Sequence, residues 1–222
     1  DVIAPNMTAG SNNVILVGHS NATKNSAYIG FHYTASGSND NYLRLGMYAA
    51  DDTAQLTYVQ VGILTAILIN SGAADFVITG CGTGEGAMLA CNSFPKVLCG
   101  HITSPLDAYL FSQVNDGNTI ALPFAENFGW GGELNLQYIF EKLFFAPGGG
   151  GYPKERVVPE QRNKKILDEV KKVTHVDLVT ILKNLDQELV KGALSGEKFK
   201  EYFYANCQVP EIAEAVKAIV GE

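Results

Sequence analysis

"DFVITGCGTGEGAMLACNSFP", residues 75–95, sets β-forming residues against helix-forming ones with a glycine-studded turn between them. Phe76, Val77 and Ile78 favour a strand, and Ala87, Met88, Leu89 and Ala90 favour a helix. Gly82, Gly84 and Gly86 let the chain turn sharply and let a ligand approach its amides. A strand, a glycine loop and a helix N-terminus in that order make a site for an anion or a developing oxyanion. Cys81 stands where the strand ends, and a helix N-terminus lowers a thiol's pKa.

Working outward, residues 56–68 carry apolar side chains on a helical spacing (Leu56, Val59, Ile63, Ala66, Ile67), and Asn70-Ser71-Gly72 is a stop signal. After the loop, "KVLCGH" at 96–101 is a short β-like run. "SPLDAYLFSQV" predicts a helix with Ser104 as N-cap and Pro105 in its first turn. "NTIALPFA" predicts a further strand. Strands alternating with helices at this spacing argue for a parallel sheet covered on both faces, with ligands at the carboxyl ends of its strands.

"FGWGGELNLQYIFEKLF" contains another helix, with Leu134, Ile139, Leu143 and Phe144 as apolar candidates. "APGGGGYP" at 146–153 marks a linker, which divides a catalytic domain (1–146) from a helical extension (147–222). In the extension Ile166, Val170, Val173, Leu178, Ile181 and Leu185 form an apolar stripe that packs on its own domain or on a partner subunit. Residues 18–42 are rich in Gly, Ser, Asn and Tyr and show neither a 3.6 nor a 2.0 period.

The chain has 222 residues, 46% of them hydrophobic, and a formal net charge of −7. That supplies a full core and no basic field for nucleic acid or a membrane surface. No apolar run reaches the ~18 residues of a membrane span, and the opening residues show no leader pattern. The four cysteines (Cys81, Cys91, Cys99, Cys207) show no zinc spacing. Reduced thiols fit a cytoplasmic protein.

The pattern at 80–86 suits neither nucleotide motif well. No acidic residue ends a clear strand ~20 positions on, as a dinucleotide fold requires. Ala87-Met88 stand where a phosphate loop needs Lys-Ser/Thr. Proton transfer fits better: moving a carbonyl along a sugar needs a base and donors for the enediolate oxygens. Cys81 serves as base, the amides of residues 82–86 as anion hole and Thr83 as relay. Glu85 is explained by the helix dipole alone. His19, His32, His101 and His175 have no spaced partners and read as structural, although His101 follows a strand on the ligand side.

"CGTGEGAMLACNSFP" resembles the Cys-Gly-Thr-Gly-x-Gly signature of the type B ribose-5-phosphate and galactose-6-phosphate isomerase family. "SPLDAYLFSQVNDGNTIAL" continues the resemblance through Asn115-Asp116-x-Asn118, over roughly residues 45–145. It implies a Rossmann-like three-layer α/β/α sandwich, homodimers with active sites at the subunit interface, and neither metal nor organic cofactor. It also implies Cys81 as base at the sugar's C2, amides at Gly82, Gly84 and Gly86 around the enediolate, and Asn115 on the substrate.

The departures matter too. Val114 replaces the ring-opening histidine. The amino-terminal Asp-His pair is missing, with Asn6 the nearby polar candidate, and Tyr58 lies close to the place of the substrate tyrosine. "QLTYVQVGILTAILINSGAADFVITG", "FGWGGELNL", "GGGYPKERVVPEQRN" and "YFYANCQVPEIAEAV" are similar to a branch with a carboxy-terminal helical extension. That branch includes the 4-deoxy-L-threo-5-hexosulose-uronate ketol-isomerases. Ala125 and Tyr152 stand where phosphate-clamping arginines would be, which leaves Arg156 and Arg162 for a carboxylate. The expected reaction is isomerisation of a 4-deoxy-5-keto-uronate. Ribose 5-phosphate or galactose 6-phosphate isomerisation, or sugar binding without catalysis, are the alternatives.

Overall fold

The structure, a computed structural model, describes residues 11–18, 26–33, 42–47, 56–126 and 129–222. The chain divides into two compact units, Asp1–Thr53 and Ala54–Glu222. In the first, β1 (Ser11–Gly18), β2 (Ser26–Tyr33) and β3 (Tyr42–Met47) form an antiparallel sheet in the order β1-β2-β3. Ile15 pairs with Ile29, and Ile29 pairs with Leu45. Within the stretch 18–42, which gives no periodic signal in sequence, Ser26–Tyr33 pairs with β1 on one side and β3 on the other.

The second unit is built on a parallel sheet of β4 (Val77–Cys81), β5 (Cys99–His101) and β6 (Thr119–Pro123) in the order β4-β6-β5. Central β6 is buried along its whole length. Its pleat turns alternate residues to opposite faces. Ala121 joins one core with Ile63, Ala66, Ile67 and Cys91, while Ile120 and Leu122 join another with Ala108, Ile139 and Leu143. Helices α1 (Tyr58–Ser71) and α2 (Glu85–Asn92) supply the first core; α3 (Pro105–Leu110) and α4 (Gly132–Leu143) supply the second. This is the parallel sheet covered on both faces that the alternation of elements predicts, and the Rossmann-like three-layer arrangement that the family resemblance implies.

Local signals account for the element ends. Thr57 Oγ accepts from the Gln60 N–H, and the Gln60 side chain accepts from the Thr57 N–H, so a capping box opens α1. Gly72, in the left-handed region at φ 68°, closes it. Ser104 caps α3 through the Asp107 N–H, with Pro105 in the first turn. The helix then widens into a π-turn, Phe111–Asn115.

Three expectations need correction. In α4, Leu134 and Phe144 are exposed, and Ile139 and Leu143 carry the contact. The β-like run at 96–101 contributes only its last three residues as strand. The apolar stripe of the extension is not one face, because α5 (Val157–Thr174) ends and α6 (Leu178–Asn184) restarts on an Asp177 cap. Ile166, Val170 and Val173 of α5 are exposed, whereas Leu178 and Leu182 of α6 are buried.

Helices α6, α7 (Gln187–Ala193), α8 (Glu197–Asn206) and α9 (Pro210–Val220) share the core of α1 through Leu182, Val190, Phe203 and Val216. The Tyr202 hydroxyl donates to the Ala73 carbonyl at 3.0 Å, which fastens α8 to the end of α1. The glycine-rich stretch before α5 is held down as well. Gly149 N–H donates to Ser112 O at 2.9 Å and Gly151 N–H to Gln113 O at 2.8 Å.

Candidate active site

Parallel pairing with β6 brings Cys81 opposite Pro123 at the carboxyl end of the sheet. The pairing runs on past the strands: Phe124 N–H donates to Cys81 O and Ala125 N–H to Gly82 O, both at 2.8 Å. The main chain of Cys81 is thereby fixed to the neighbouring strand, and its side chain is left to the loop. Gly80 has to be glycine, since a Cβ there would stand 2.2 Å from the Leu122 oxygen. Gly84 is the N-cap of α2 at φ 76° and offers no capping side chain. The first N–H groups of the helix are therefore free to serve a ligand or a thiolate.

They serve Cys81. Burial, the largest single influence, opposes its ionisation. Hydrogen bonds from the Ala87 and Gly84 N–H groups, the Thr83 hydroxyl and the Thr83 N–H together outweigh it, and hold the thiol below its ordinary pKa. Tyr58, the first residue of α1, closes one side. A Cβ on Gly86 would lie 3.4 Å from its ring and 3.6 Å from Cys81 Sγ. Gly82 is exposed, and a Cβ added there would meet only the Ala125 Cβ, at 3.9 Å. On the other side His101, at the end of β5, places Nε2 2.8 Å from the Thr83 carbonyl oxygen.

The residues singled out from the sequence thus fall into two groups. Tyr58, Cys81, Gly82, Thr83, Gly84 and Gly86 converge at the carboxyl edge of the sheet. Asn115, Arg156 and Arg162 do not join them. Asn115 ends the π-turn that leads into β6, so it lies at the amino edge, where Val77 pairs with Thr119. Five-residue strands separate the two edges by ~13 Å of rise. There Asn115 is exposed beside a cleft shared with Asn92, Leu98, Glu160, Asn163 and Lys164. Arg156 ends the short turn Lys154–Arg156 before α5, and Arg162 lies on α5 near Ile166, Val170 and Val173. Asn6 lies outside the described residues.

Asn118, from the same motif as Asn115, has a structural task. Its Oδ1 accepts from Leu98 N–H at 2.9 Å and its Nδ2 donates to Lys96 O at 2.8 Å, pinning the entry of β5 beside β6. The residue that sequence reasoning set aside is His101. Its signal was topological: β5 and β4 are parallel to the same central strand, so both carboxyl ends reach one edge. Among the described residues no group of three or more His, Cys, Asp or Glu converges as metal ligands, and no helix is long and apolar enough to cross a membrane.

Comparison with known proteins bears on what this loop is for. The family described as Ribose/Galactose Isomerase matches residues 15–144, and one described as Ribose-5-phosphate isomerase matches residues 173–219. Among curated proteins none matches the chain. A 4-deoxy-L-threo-5-hexosulose-uronate ketol-isomerase complexed with a tartrate is 63% identical over 80% of this chain and 83% of its own, with a TM-score of 0.76. A ribose-5-phosphate isomerase from Vibrio parahaemolyticus is 53% identical over 78% of this chain and 82% of its own, with a TM-score of 0.74. A strand-end cysteine in a glycine loop on a Rossmann-type sheet, matched across more than half of its length, means that the chain belongs to the ribose/galactose isomerase family and is a sugar isomerase.

Proposed function

We propose that the protein is a cofactor-free aldose–ketose isomerase acting on a 4-deoxy-5-keto-uronate through an enediolate, with Cys81 as base and Thr83 as relay. The observation that carries this reading is the ring of donors that favours the Cys81 thiolate. The thiolate takes the proton from C2, the C1–C2 double bond forms, and negative charge collects on O1 facing the N-terminus of α2. The Thr83 hydroxyl passes the O2 proton to O1. The thiol then returns its proton to C1, which leaves the carbonyl at C2.

The carboxylate substrate is supported by the scarcity of guanidinium groups. The sequence holds three arginines, Arg44, Arg156 and Arg162, whereas a phosphate dianion is best held by several bidentate pairs. Residue 125 borders the glycine loop, and as alanine it brings no charge there. The 63%-identical relative bears the name of a uronate ketol-isomerase, which agrees with this reading.

The working unit is a homodimer in this proposal. Asn115 sits at the edge of the sheet away from Cys81 of its own chain, while Arg156 precedes α5 and Arg162 lies on it. A two-fold partner would bring the one edge to the other, and α5 offers exposed Ile166, Val170 and Val173 beside Arg162 for that contact. All four cysteines are free thiols, which suits a cytoplasmic enzyme.

The test is kcat/KM on a 4-deoxy-5-keto-uronate and on ribose 5-phosphate, with Arg156→Ala and Arg162→Ala alongside. Losing charge-assisted pairs of roughly 1.5–3 kcal/mol each should leave ribose 5-phosphate about 10²- to 10⁴-fold the poorer substrate. Better turnover of ribose 5-phosphate would instead make this a phosphate-sugar isomerase, the activity named for the 53%-identical relative.

A further inference from the structure

The two ends of one peptide unit in the glycine loop have different partners. The Thr83 carbonyl oxygen lies 2.8 Å from His101 Nε2. A carbonyl oxygen only accepts, so the imidazole hydrogen is on Nε2. The N–H at the other end, that of Gly84, is one of the groups that hold the Cys81 thiol below its ordinary pKa. A trans peptide is planar, with its C=O and N–H pointing in opposite directions. Holding the carbonyl toward His101 therefore aims the N–H at the thiol.

This orientation has a close competitor. Type I and type II turns differ by rotation of their central peptide, and a glycine after that peptide makes both accessible. Gly84 is such a glycine, at φ 76°. A flipped 83–84 peptide would present an oxygen to Cys81 in place of a donor, and the thiolate would lose both the bond and a favourable dipole. The imidazole also packs on the glycine: a Cβ at position 84 would be 2.8 Å from His101 Cδ2 and Nε2.

We propose that His101 is a positioning residue, whose Nε2–H holds the Thr83–Gly84 peptide in the orientation that completes the donor ring around Cys81. It acts through the peptide and exchanges no proton with substrate. The inference rests on the reading of Cys81 as the base.

The test compares His101→Phe, which keeps a ring without a donor, with His101→Gln, whose amide nitrogen is the same number of bonds from Cα. Two readouts are taken: steady-state kinetics, and the pH dependence of Cys81 alkylation by iodoacetamide, followed on the Cys81 peptide by mass spectrometry. His101→Phe should raise the alkylation midpoint by about one pH unit and lower kcat roughly 10- to 100-fold, with KM within about twofold. His101→Gln should recover most of both. Unchanged alkylation and kcat in His101→Phe would overturn the proposal. Failure of the base reading looks different: Cys81→Ser would stay active while His101→Phe still shifted alkylation in the Cys81 protein. Should His101→Phe fail to fold, the imidazole ¹⁵N shifts of the unaltered protein decide. A hydrogen on Nε2 is expected, and a predominant Nδ1–H tautomer would refute the assignment.

Discussion

The Lys171 ammonium donates to the Asn92 carbonyl at 3.1 Å, so a helix of the carboxy-terminal extension closes the end of the helix that begins at the glycine loop. The same ammonium reaches the carbonyls of Phe94, at 3.0 Å, and Val97. A cation at a helix C-terminus complements the exposed carbonyls. Burial is the main influence on this lysine and lowers its pKa, while Cys99, Asp168 and Cys91 push it back up. Lys171→Met should lower stability by roughly 2–4 kcal/mol, since partly buried carbonyls lose a charged donor. Chemical denaturation would show this as a lower midpoint, and an unchanged midpoint would mean that water replaces the ammonium without cost.

Two glycines of the loop should respond oppositely to alanine. At Gly80 the new Cβ would meet a backbone oxygen at 2.2 Å, which cannot move without breaking the β4–β6 ladder. Gly80→Ala should cost about 3 kcal/mol or more. A Cβ added at Gly82 would meet nothing nearer than 3.9 Å, so Gly82→Ala should fold with a melting temperature within a few degrees of the unaltered protein. Similar melting curves for the two variants would contradict the close approach of Gly80 to the Leu122 carbonyl.

Cys81→Ser should retain the fold and lose about 10²- to 10⁴-fold in kcat, the usual contribution of a placed base. Thr83→Ala should be milder. In the proposed mechanism the base is a thiolate of lowered pKa, so kcat/KM should climb with pH and level off before an ordinary thiol would ionise. The sign carries over to stability. A depressed pKa contributes stabilisation that is complete above the unfolded-state value and lost as pH falls through the folded-state value. A rising limb centred at or above the ordinary thiol pKa would argue against the donor ring.

The exposed face of α5 gives a separate test of assembly. Ile166→Glu with Val173→Glu adds charge where the proposed partner would pack, at two side chains that are exposed in their own chain. Sedimentation should show the dimer weakened by at least about tenfold, with activity lost in step as the second group of residues leaves the site. A fully active monomer would show that Asn115, Arg156 and Arg162 are not needed at Cys81.

Much of the fold was legible because its signals are local. The stop at Gly72 and the Ser104-Pro105 helix start depend on residues within a few positions of one another. The glycine loop was legible for the same reason, since a strand-end cysteine followed by alternating glycines restricts its own backbone. The antiparallel strands between Ser11 and Met47 were not legible. Their pairing is a relation between segments, and residues 18–42 carry no alternation to announce it.

The sequence by itself determined an α/β chain with a poised thiol, because strand, turn and cap chemistry act over short stretches. Only the tertiary structure decided who the neighbours of that thiol are. The register of β4 and β5 on β6 brought His101 to the Thr83 carbonyl and sent Asn115 to the opposite edge. It also left half of the apolar stripe exposed, because α5 lies along a surface while α6 turns into the core of α1. Spacing along a chain cannot tell those two outcomes apart, since an apolar helix face looks the same whether its partner belongs to the same chain or to another.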